Sequence, residues 1–128
     1  MQVNRIDHLV LTVRDIDATV AFYQRVLGMQ RIEFAAGRIA LGFGAQKINL
    51  HQAGAEFEPR AQHAVPGSAD LCFVIDTPLA EAIEQLRAQN VHVIEGPVPR
   101  SGATGAITSA YLRDPDGNLL ELSNYSND

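Results

Sequence analysis

An internal repeat restricts the fold of this chain more than any other feature of its sequence. An apolar stretch at Ile6–Val13 leads into an amphipathic segment, and a second stretch at Leu71–Ile75 does the same. With His8 aligned on Asp70, the ends of the two amphipathic segments also align. Each half then finishes in an apolar strand that carries polar residues at alternate positions. The repeat therefore predicts two units of similar structure.

The first half predicts one strand, one helix and three further strands. Either Asp15 or Asp17 can cap the helix, whose apolar residues recur at helical spacing, and Gly28 is a suitable left-handed stop. Short turn sequences rich in glycine separate the strands that follow. The strands are expected at Ile6–Val13, Met29–Ala35, Arg38–Phe43 and Lys47–Gln52.

The second half predicts the same order of elements after an irregular segment. Thr77 is expected to cap the second helix, with Pro78 at its first position and Asn90 at its end. The Gly- and Pro-rich stretch from Glu95 to Gly105 is expected to be a loop, and Asp114–Gly117 a tight turn. Strands are expected at Ala69–Ile75, Val91–Ile94, Ile107–Arg113 and Asn118–Asn124.

These elements predict an α+β fold of two βαβββ modules in a single domain of 128 residues. Module 1 spans about residues 1–53, a linker about 54–68, and module 2 about 69–128. One module exposes more apolar sheet than its single helix can cover. We therefore expect the two sheets to form one shared cup, into which alternate residues of the first and last strands of each module project.

Composition excludes several classes of function. The net charge of −5 and the absence of a basic stripe argue against a nucleic-acid partner, and no apolar run is long enough to span a membrane. Cys72 is the single cysteine, so no intrachain disulfide can form, and its apolar surroundings predict a small buried side chain. We expect a cytoplasmic protein.

Three residues of metal-ligand type occupy corresponding places in the repeat. His8 and Asp70 lie on the first strands, and Glu121 lies on the last strand of the second half. Taken singly, each has an ordinary explanation: a strand histidine, a turn aspartate and a solvent-facing glutamate. Together they form a mixed nitrogen and oxygen set suited to a divalent ion such as Ni, Co, Mn, Fe or Zn.

Two residues compete for a fourth place near this predicted site. Asn49 aligns with Glu121 in the repeat, whereas His51 lies on the same strand face and is the better metal donor. We predict His51 as fourth ligand or catalytic base and Asn49 as a substrate contact. The sequence does not decide which of the two side chains faces the site. Arg100, beside the glycine-rich segment Ser101–Gly105, is a candidate contact for a substrate anion.

The chain resembles the vicinal oxygen chelate superfamily, which includes glyoxalase I, fosfomycin-resistance thiol transferases, extradiol dioxygenases and bleomycin-binding proteins. The resemblance covers nearly the whole chain and is carried by Ile6–Val13, Phe22–Met29 and Asp114–Leu122. The segments Lys47–Gln52 and Gly96–Ala103 resemble more closely a subgroup of glyoxalase-domain-containing and virulence-associated proteins.

The resemblance implies roles for individual residues. His8 and Glu121 match the first and last metal ligands of the superfamily, whereas Asp70 stands where glyoxalases and dioxygenases usually have histidine. Asn49 stands where bacterial glyoxalase I has a ligand glutamate. Asparagine cannot act as a base, so proton transfer would fall to Glu121 or His51. Asp70 also breaks the two-histidine, one-carboxylate triad of non-haem iron oxygenases, which argues against a dioxygenase.

The sequence therefore predicts a metal-dependent enzyme of the glyoxalase-like lyase or isomerase type, acting on a small substrate that chelates the metal through adjacent oxygens. A metal-dependent thiol transferase is one alternative. A metal-free small-molecule or antibiotic binding protein of the bleomycin-resistance type is another, favoured by the substitutions at Asn49 and Asp70. We also expect a homodimer, in which the cup is completed within one chain or between two.

Overall fold

The structure is a computed structural model that describes residues 1–126. It divides into two compact units, residues 1–67 and residues 68–128. The first unit is a four-stranded mixed sheet in the order β1-β4-β3-β2, with β1 parallel to β4 and the other pairs antiparallel. Its elements are β1 (His8–Val13), α1 (Ile16–Leu27), β2 (Gln30–Phe34), β3 (Arg38–Phe43) and β4 (Gln46–Gln52).

The second unit repeats this topology, with a four-stranded sheet in the order β5-β8-β7-β6 and a parallel pair formed by β5 and β8. The α+β architecture of two four-stranded mixed sheets and two helices is confirmed. No helix within residues 1–126 has both the length and the apolar character needed to cross a bilayer. The elements are β5 (Asp70–Val74), α2 (Leu79–Ala88), β6 (Glu95–Gly102), β7 (Gly105–Arg113) and β8 (Leu119–Tyr125).

In each unit the helix packs on its own sheet, α1 against β2, β3 and β4, and α2 against β7 and β8. Alternate strand residues supply the buried apolar layer beside the helix. Leu50 and Leu122, which align in the repeat, are 1% and 2% exposed. The other members of this layer include Leu11, Val13, Ile39, Leu41, Ile48, Ala110, Leu112 and Leu120.

Helix α1 begins and ends as its sequence predicts. Of the two candidate caps, Asp15 is the one used: its carboxylate accepts a hydrogen bond from the amide of Ala18 at 3.1 Å. Asp17 lies in the first turn instead, where its charge favours the positive end of the helix dipole. Gly28 ends the helix in the left-handed region at φ 65°, which glycine adopts without a steric penalty.

The predicted start of α2 is wrong by one residue. Pro78, not Thr77, occupies the N-cap position, and it provides no side-chain cap. A distant residue replaces the cap, because the Asn124 side-chain oxygen accepts a hydrogen bond from the Leu79 amide at 2.7 Å. Its amide nitrogen in turn donates to the carbonyls of Ile75 and Thr77. Strand β8 therefore fixes the start of this helix.

The second predicted strand of the second half is also wrong. Residues 91–94 form no strand, and β6 (Glu95–Gly102) lies in the stretch expected to be a loop. This strand tolerates Pro97 and Pro99 because it is an edge strand of its sheet and its pairing with β7 is irregular between Glu95 and Val98. The segment Ser101–Gly105 is accordingly the tip of a β6–β7 hairpin.

The turn before β8 is stabilised by one buried carboxylate. Asp114 accepts hydrogen bonds from the amides of Asp116 and Asn118 and from the side chain of Asn118, at 2.8–3.0 Å. The Asn118 side-chain oxygen accepts from the amide of Ala69 at 2.9 Å. Asn118 is thus committed to the turn, and β8 begins one residue later than predicted, at Leu119.

Candidate functional site

Each sheet has a polar face on the side of its strands opposite the buried apolar layer. In the second unit, Cys72 and Glu121 are register partners on the parallel strands β5 and β8, and Asp70 and Ser123 lie two residues along on the same face. We call this set, with Ser109 of β7, the second polar face. Two of the predicted metal ligands, Asp70 and Glu121, therefore share one side of one sheet.

Hydroxyl and thiol groups surround Glu121. The Ser123 hydroxyl lies 2.7 Å from that of Ser109, 3.3 Å from the Cys72 sulfur and 3.5 Å from Oε2 of Glu121. Cys72 is exposed, contrary to prediction, because it belongs to the polar side of β5. Partial burial raises its pKa, as does the charge of Glu121, so the thiol is held in its neutral form.

Glu121 also lines a cavity of about 270 Å³ in the second unit. No Lys, Arg or His side chain within residues 1–126 forms an ion pair with this half-buried carboxylate. A larger cavity of about 420 Å³ contains none of the predicted ligands. The cavity at Glu121 is lined by Cys72, Val74, Ser101, Gly102, Ala103, Ile107, Glu121 and Tyr125.

Asp70 is exposed at the first position of β5. The sequence left open whether it merely closes the preceding turn, but Asn118 does so through the amide of Ala69. No hydrogen bond or ion pair within residues 1–126 engages the Asp70 carboxylate. It is therefore available to a ligand.

His8 stands at the start of β1 with its ring oriented by its neighbour. Its Nδ1 lies 2.8 Å from a carboxylate oxygen of Asp7, and this hydrogen bond lowers the pKa of Asp7. A proton on Nδ1 leaves the Nε2 lone pair free. Carboxylates orient metal-binding histidines in the same way.

His51 and Asn49 lie on one face of β4, opposite Arg38 and Ala40 of β3. Because arginine can only donate, the Arg38 Nη2 to His51 Nε2 contact of 3.1 Å makes His51 the acceptor. Burial, followed by the positive charge of Arg38, lowers the pKa of His51 and keeps it neutral. Metal binding through Nε2 would require this bond to break.

Asn49 is 5% exposed, and its side-chain oxygen has no hydrogen-bond partner among residues 1–126. We call the group formed by His8, Lys47, Asn49, His51, Arg38 and Phe34 the first polar face. Arg38 and Phe34 were not selected from the sequence. The antiparallel pairing of β3 with β4, which places Arg38 beside His51, is the signal that could have identified Arg38.

Arg100 is engaged within its own hairpin. Its guanidinium donates to the Tyr111 hydroxyl at 3.0 Å, to the Pro99 carbonyl at 2.9 Å and to Glu95 at 3.3 Å. The Tyr111 hydrogen bond is the main cause that raises the pKa of Arg100. A substrate anion would have to compete with Glu95 for this side chain.

The predicted ligands come from both units, His8 from the first and Asp70 and Glu121 from the second. Within residues 1–126, no three His, Cys, Asp or Glu side chains are grouped so that they could hold a metal ion. The assembly of these residues around one ion remains a prediction.

Two relatives are similar over nearly their whole length. Virulence protein STM3117 of Salmonella typhimurium is 55% identical over 125 residues, which cover 98% of this chain and 87% of the relative. An integron cassette protein from the mobile metagenome of Vibrio cholerae has a solved structure that is 61% identical, covers 98% of both chains and superimposes with a TM-score of 0.96.

A more distant structure shares the fold. Fosfomycin resistance protein FosX from Listeria monocytogenes, solved with Mn(II) and sulfate, is 22% identical with a TM-score of 0.67, covering 98% of this chain and 93% of that one. The sequence profile of the Glyoxalase/Bleomycin resistance protein/Dioxygenase superfamily matches residues 5–122. This match spans both units and all ten elements apart from the last residues of β8, and the chain therefore belongs to that superfamily.

Proposed function

We propose that this protein is a divalent-metal-dependent enzyme of the glyoxalase-like lyase or isomerase type, acting on a small substrate with adjacent oxygens. The observation that carries the proposal is the state of Glu121. Its carboxylate is half-buried beside a cavity of about 270 Å³ and has no cationic partner within residues 1–126. A partly desolvated carboxylate is normally paired with a cation or coordinates a metal.

The proposed donor set is the Nε2 of His8 with the carboxylates of Asp70 and Glu121. All three fit a divalent ion chemically, because each has a free donor atom and His8 is already oriented by Asp7. His51 is the weaker candidate for a fourth ligand because Arg38 engages its Nε2. A bound ion would polarise the substrate oxygens as a Lewis acid and stabilise the negative charge that develops on them.

The chain's own groups then have distinct tasks. Glu121 would accept or return the substrate proton, and the Ser123 hydroxyl near Oε2 orients the carboxylate. His51 is held neutral, so it is a proton acceptor once Arg38 releases it. Asn49 contacts the substrate but cannot move a proton, so this site has one carboxylate fewer than bacterial glyoxalase I.

The second candidate is a metal-free small-molecule binding protein. The observation in its favour is that, in residues 1–126, the His, Cys, Asp and Glu side chains form no ready cluster of three. In that case the cavity at Glu121 would hold the ligand by hydrogen bonds from Cys72 and Tyr125, which both line it. Metal content of the purified protein separates the two candidates.

We further propose a homodimer. Val10 of β1 and Val74 of β5 are 45% and 62% exposed, and both strands lie at the edge of their sheets. Ile6, just before β1, is also exposed. Apolar side chains on sheet edges favour association with another surface. Light scattering at micromolar concentration should give twice the chain mass, and a monomer mass would contradict the proposal.

The enzymatic proposal is tested on protein stripped of metal and reloaded separately with Ni, Co, Mn, Fe or Zn. Metal content is measured first, followed by isomerisation of the glutathione hemithioacetal. Because Asn49 replaces a carboxylate, we expect weak or absent turnover of the hemithioacetal and a different physiological substrate. The kcat/KM for the hemithioacetal should lie below the range of about 10⁴–10⁸ M⁻¹s⁻¹ found for efficient enzymes.

His8→Ala should reduce bound metal, whereas His63→Ala, which alters an exposed histidine in the irregular segment after β4, should leave it unchanged. Full metal content in either His8→Ala or Glu121→Ala would refute the proposed ligand set. A stripped protein that binds none of the five metals would favour the metal-free binding protein.

A further inference from the structure

Two cations of the first polar face have no acidic partner. Neither Arg38 nor Lys47 forms an ion pair within residues 1–126, although the chain as a whole carries a net charge of −5. The nearby carboxylates Glu56 and Glu58 are instead paired with Arg60, at 3.5 and 2.9 Å. Arg38 and Lys47 are therefore left without a direct ion pair.

Arg38 is held between two aromatic rings. Its guanidinium carbon lies 5.2 Å from the centre of the Phe34 ring and 4.7 Å from that of Phe57. One terminal nitrogen donates to His51, but the Nε–H is buried and has no acceptor in the described part of the chain. A buried donor that has lost water without gaining a partner destabilises the protein. An incoming acceptor would remove that penalty.

A second unpartnered atom lies on the same face. The Asn49 amide sits between Lys47 and His51 along β4, and its cross-strand neighbours Val10 and Ala40 offer no polar side-chain atom. Asn49 is only 5% exposed, yet its side-chain oxygen has no hydrogen-bond partner within residues 1–126. The unpartnered atom is an acceptor, so this amide would have to turn and exchange its oxygen for its nitrogen before it could donate to a bound anion.

The Lys47 ammonium completes the arrangement. It lies 3.7 Å from the centre of the Phe34 ring, the same ring that contacts Arg38. The two cations thus flank one aromatic side chain, on strands β3 and β4. A flat cation-donor fork and a point charge on one sheet face are the usual elements of an oxyanion site.

We propose that Arg38, Lys47 and Asn49 form a binding site for the carboxylate or phosphonate group of a small organic anion. This inference rests on the proposed function, because the bound anion is a substrate only if the protein is the proposed enzyme. Phe57 covers Arg38 from a segment with no helix or strand and is 48% exposed, so the proposal requires its ring to move from Arg38 when the anion binds. The anion then accepts hydrogen bonds from Nε of Arg38 and from the Asn49 amide, beside the Lys47 charge.

The test is a titration observed by NMR at the arginine Nε–H groups of the metal-stripped protein. Inorganic phosphate and malonate are added separately, with sodium chloride used to keep the ionic strength constant. We expect the Arg38 Nε–H signal to shift in a saturable way, with Kd below about 1 mM for the preferred anion. The tighter of the two probes identifies phosphonate or carboxylate as the ligand group.

Arg38→Lys keeps the charge but removes the fork, and we expect it to weaken binding at least tenfold. Arg31→Lys is the matched control, because Arg31 is exposed on the opposite face of the same sheet and pairs with Glu33. Lys47→Gln, a second variant for the case in which Arg38→Lys does not fold, should weaken binding about threefold or more. A linear shift without saturation, or unchanged affinity in Lys47→Gln or in a folded Arg38→Lys, would overturn the proposal.

Failure of this site and failure of the proposed enzyme give different results. If Glu121→Gln loses metal but still binds the anion, the two sites act separately and the anion site stands. If the anion does not bind while His8→Ala and Glu121→Gln still lower the metal content, the metal proposal survives and only the present inference fails.

Discussion

The two sheets share their topology and their apolar layers but differ in their polar faces. The first face presents Arg38, Lys47 and a neutral His51, whereas the second presents Glu121, Cys72 and hydroxyl groups. Within residues 1–126, two buried polar atoms of the first face have no hydrogen-bond partner, and a carboxylate of the second face has no ion-pair partner. The two faces therefore differ in the sign of the charge that is left without an ion pair.

The contrast shows which residues of a repeated unit are free to diverge. Leu50 and Leu122 hold equivalent places against their helices and are both almost fully buried. Asn49 and Glu121, their immediate neighbours, face the other way and have different chemistry. Because a strand alternates sides at every residue, the core could be conserved between units while the polar side specialised.

The largest expected effect concerns the second face. Glu121→Gln removes the charge but keeps the shape, so it should lower metal-dependent kcat/KM by about 10²–10⁴. Metal content should fall as well. Glu84→Gln, on the exposed side of α2, is the control and should behave as wild type. Equal activity in the two variants would show that the second polar face is not the acidic site.

Leu50→Ala and Leu122→Ala test whether the two cores are equivalent. Each removes a buried side chain, so each should lower the free energy of unfolding by about 2–5 kcal/mol, measured by urea denaturation. Val65→Ala alters an exposed side chain and should change it by less than about 0.5 kcal/mol. A large cost in one unit and none in the other would contradict the equivalence of the apolar layers.

A turn that only the second unit possesses provides the next test. Asp114→Ala leaves the buried amides of Asp116 and Asn118 without their acceptor, so the free energy of unfolding should fall by about 1–3 kcal/mol. Asp76→Ala, which alters an exposed carboxylate after β5, is the control. Thermal or urea unfolding measures the difference, and an unchanged midpoint in Asp114→Ala would show that the turn forms without its carboxylate.

The smallest expected effect is a pH dependence that arises from the first face. Burial and Arg38 lower the pKa of His51, so the unfolded chain binds a proton more readily than the folded one. The stabilisation from neutral His51 is complete above its ordinary pKa of 6.5 and is lost as the pH falls below that value.

The measurement is the dependence of Tm on pH between about 7.5 and 5. His51→Gln should flatten this dependence, and His63→Gln, an exposed control, should not. A slope that is the same in wild type and His51→Gln would mean that another group causes it.

The hydrophobic pattern predicted most of the fold. Strand β3 matches its prediction at both ends, and β1, β2, β4, β5, β7 and β8 match within about two residues. The start of α2 and the position of β6 were wrong for tertiary reasons. Asn124 caps α2 from a strand far along the chain, and β6 can contain two prolines because it lies at a sheet edge.

The candidate site was also only partly predictable from the sequence. Residue type and position in the repeat together selected His8, Asp70 and Glu121, and those assignments stay predictions. Arg38 was not selected from the sequence, because an arginine at the start of a strand carries no signal of its own. The pairing of β3 with β4 places it beside His51.

The sequence by itself determined the repeat, the apolar layer of each sheet and the superfamily, because these depend on periodicity and on local motifs along the chain. Only the tertiary structure decided which polar groups are partnered, as with Asn118 in the turn and Arg38 on the first face. Which polar groups form hydrogen bonds depends on which strands lie side by side. Neighbouring strands such as β1 and β4 are far apart in the sequence, because α1, β2 and β3 lie between them in the chain. The unpartnered groups were therefore visible only after the chain had folded.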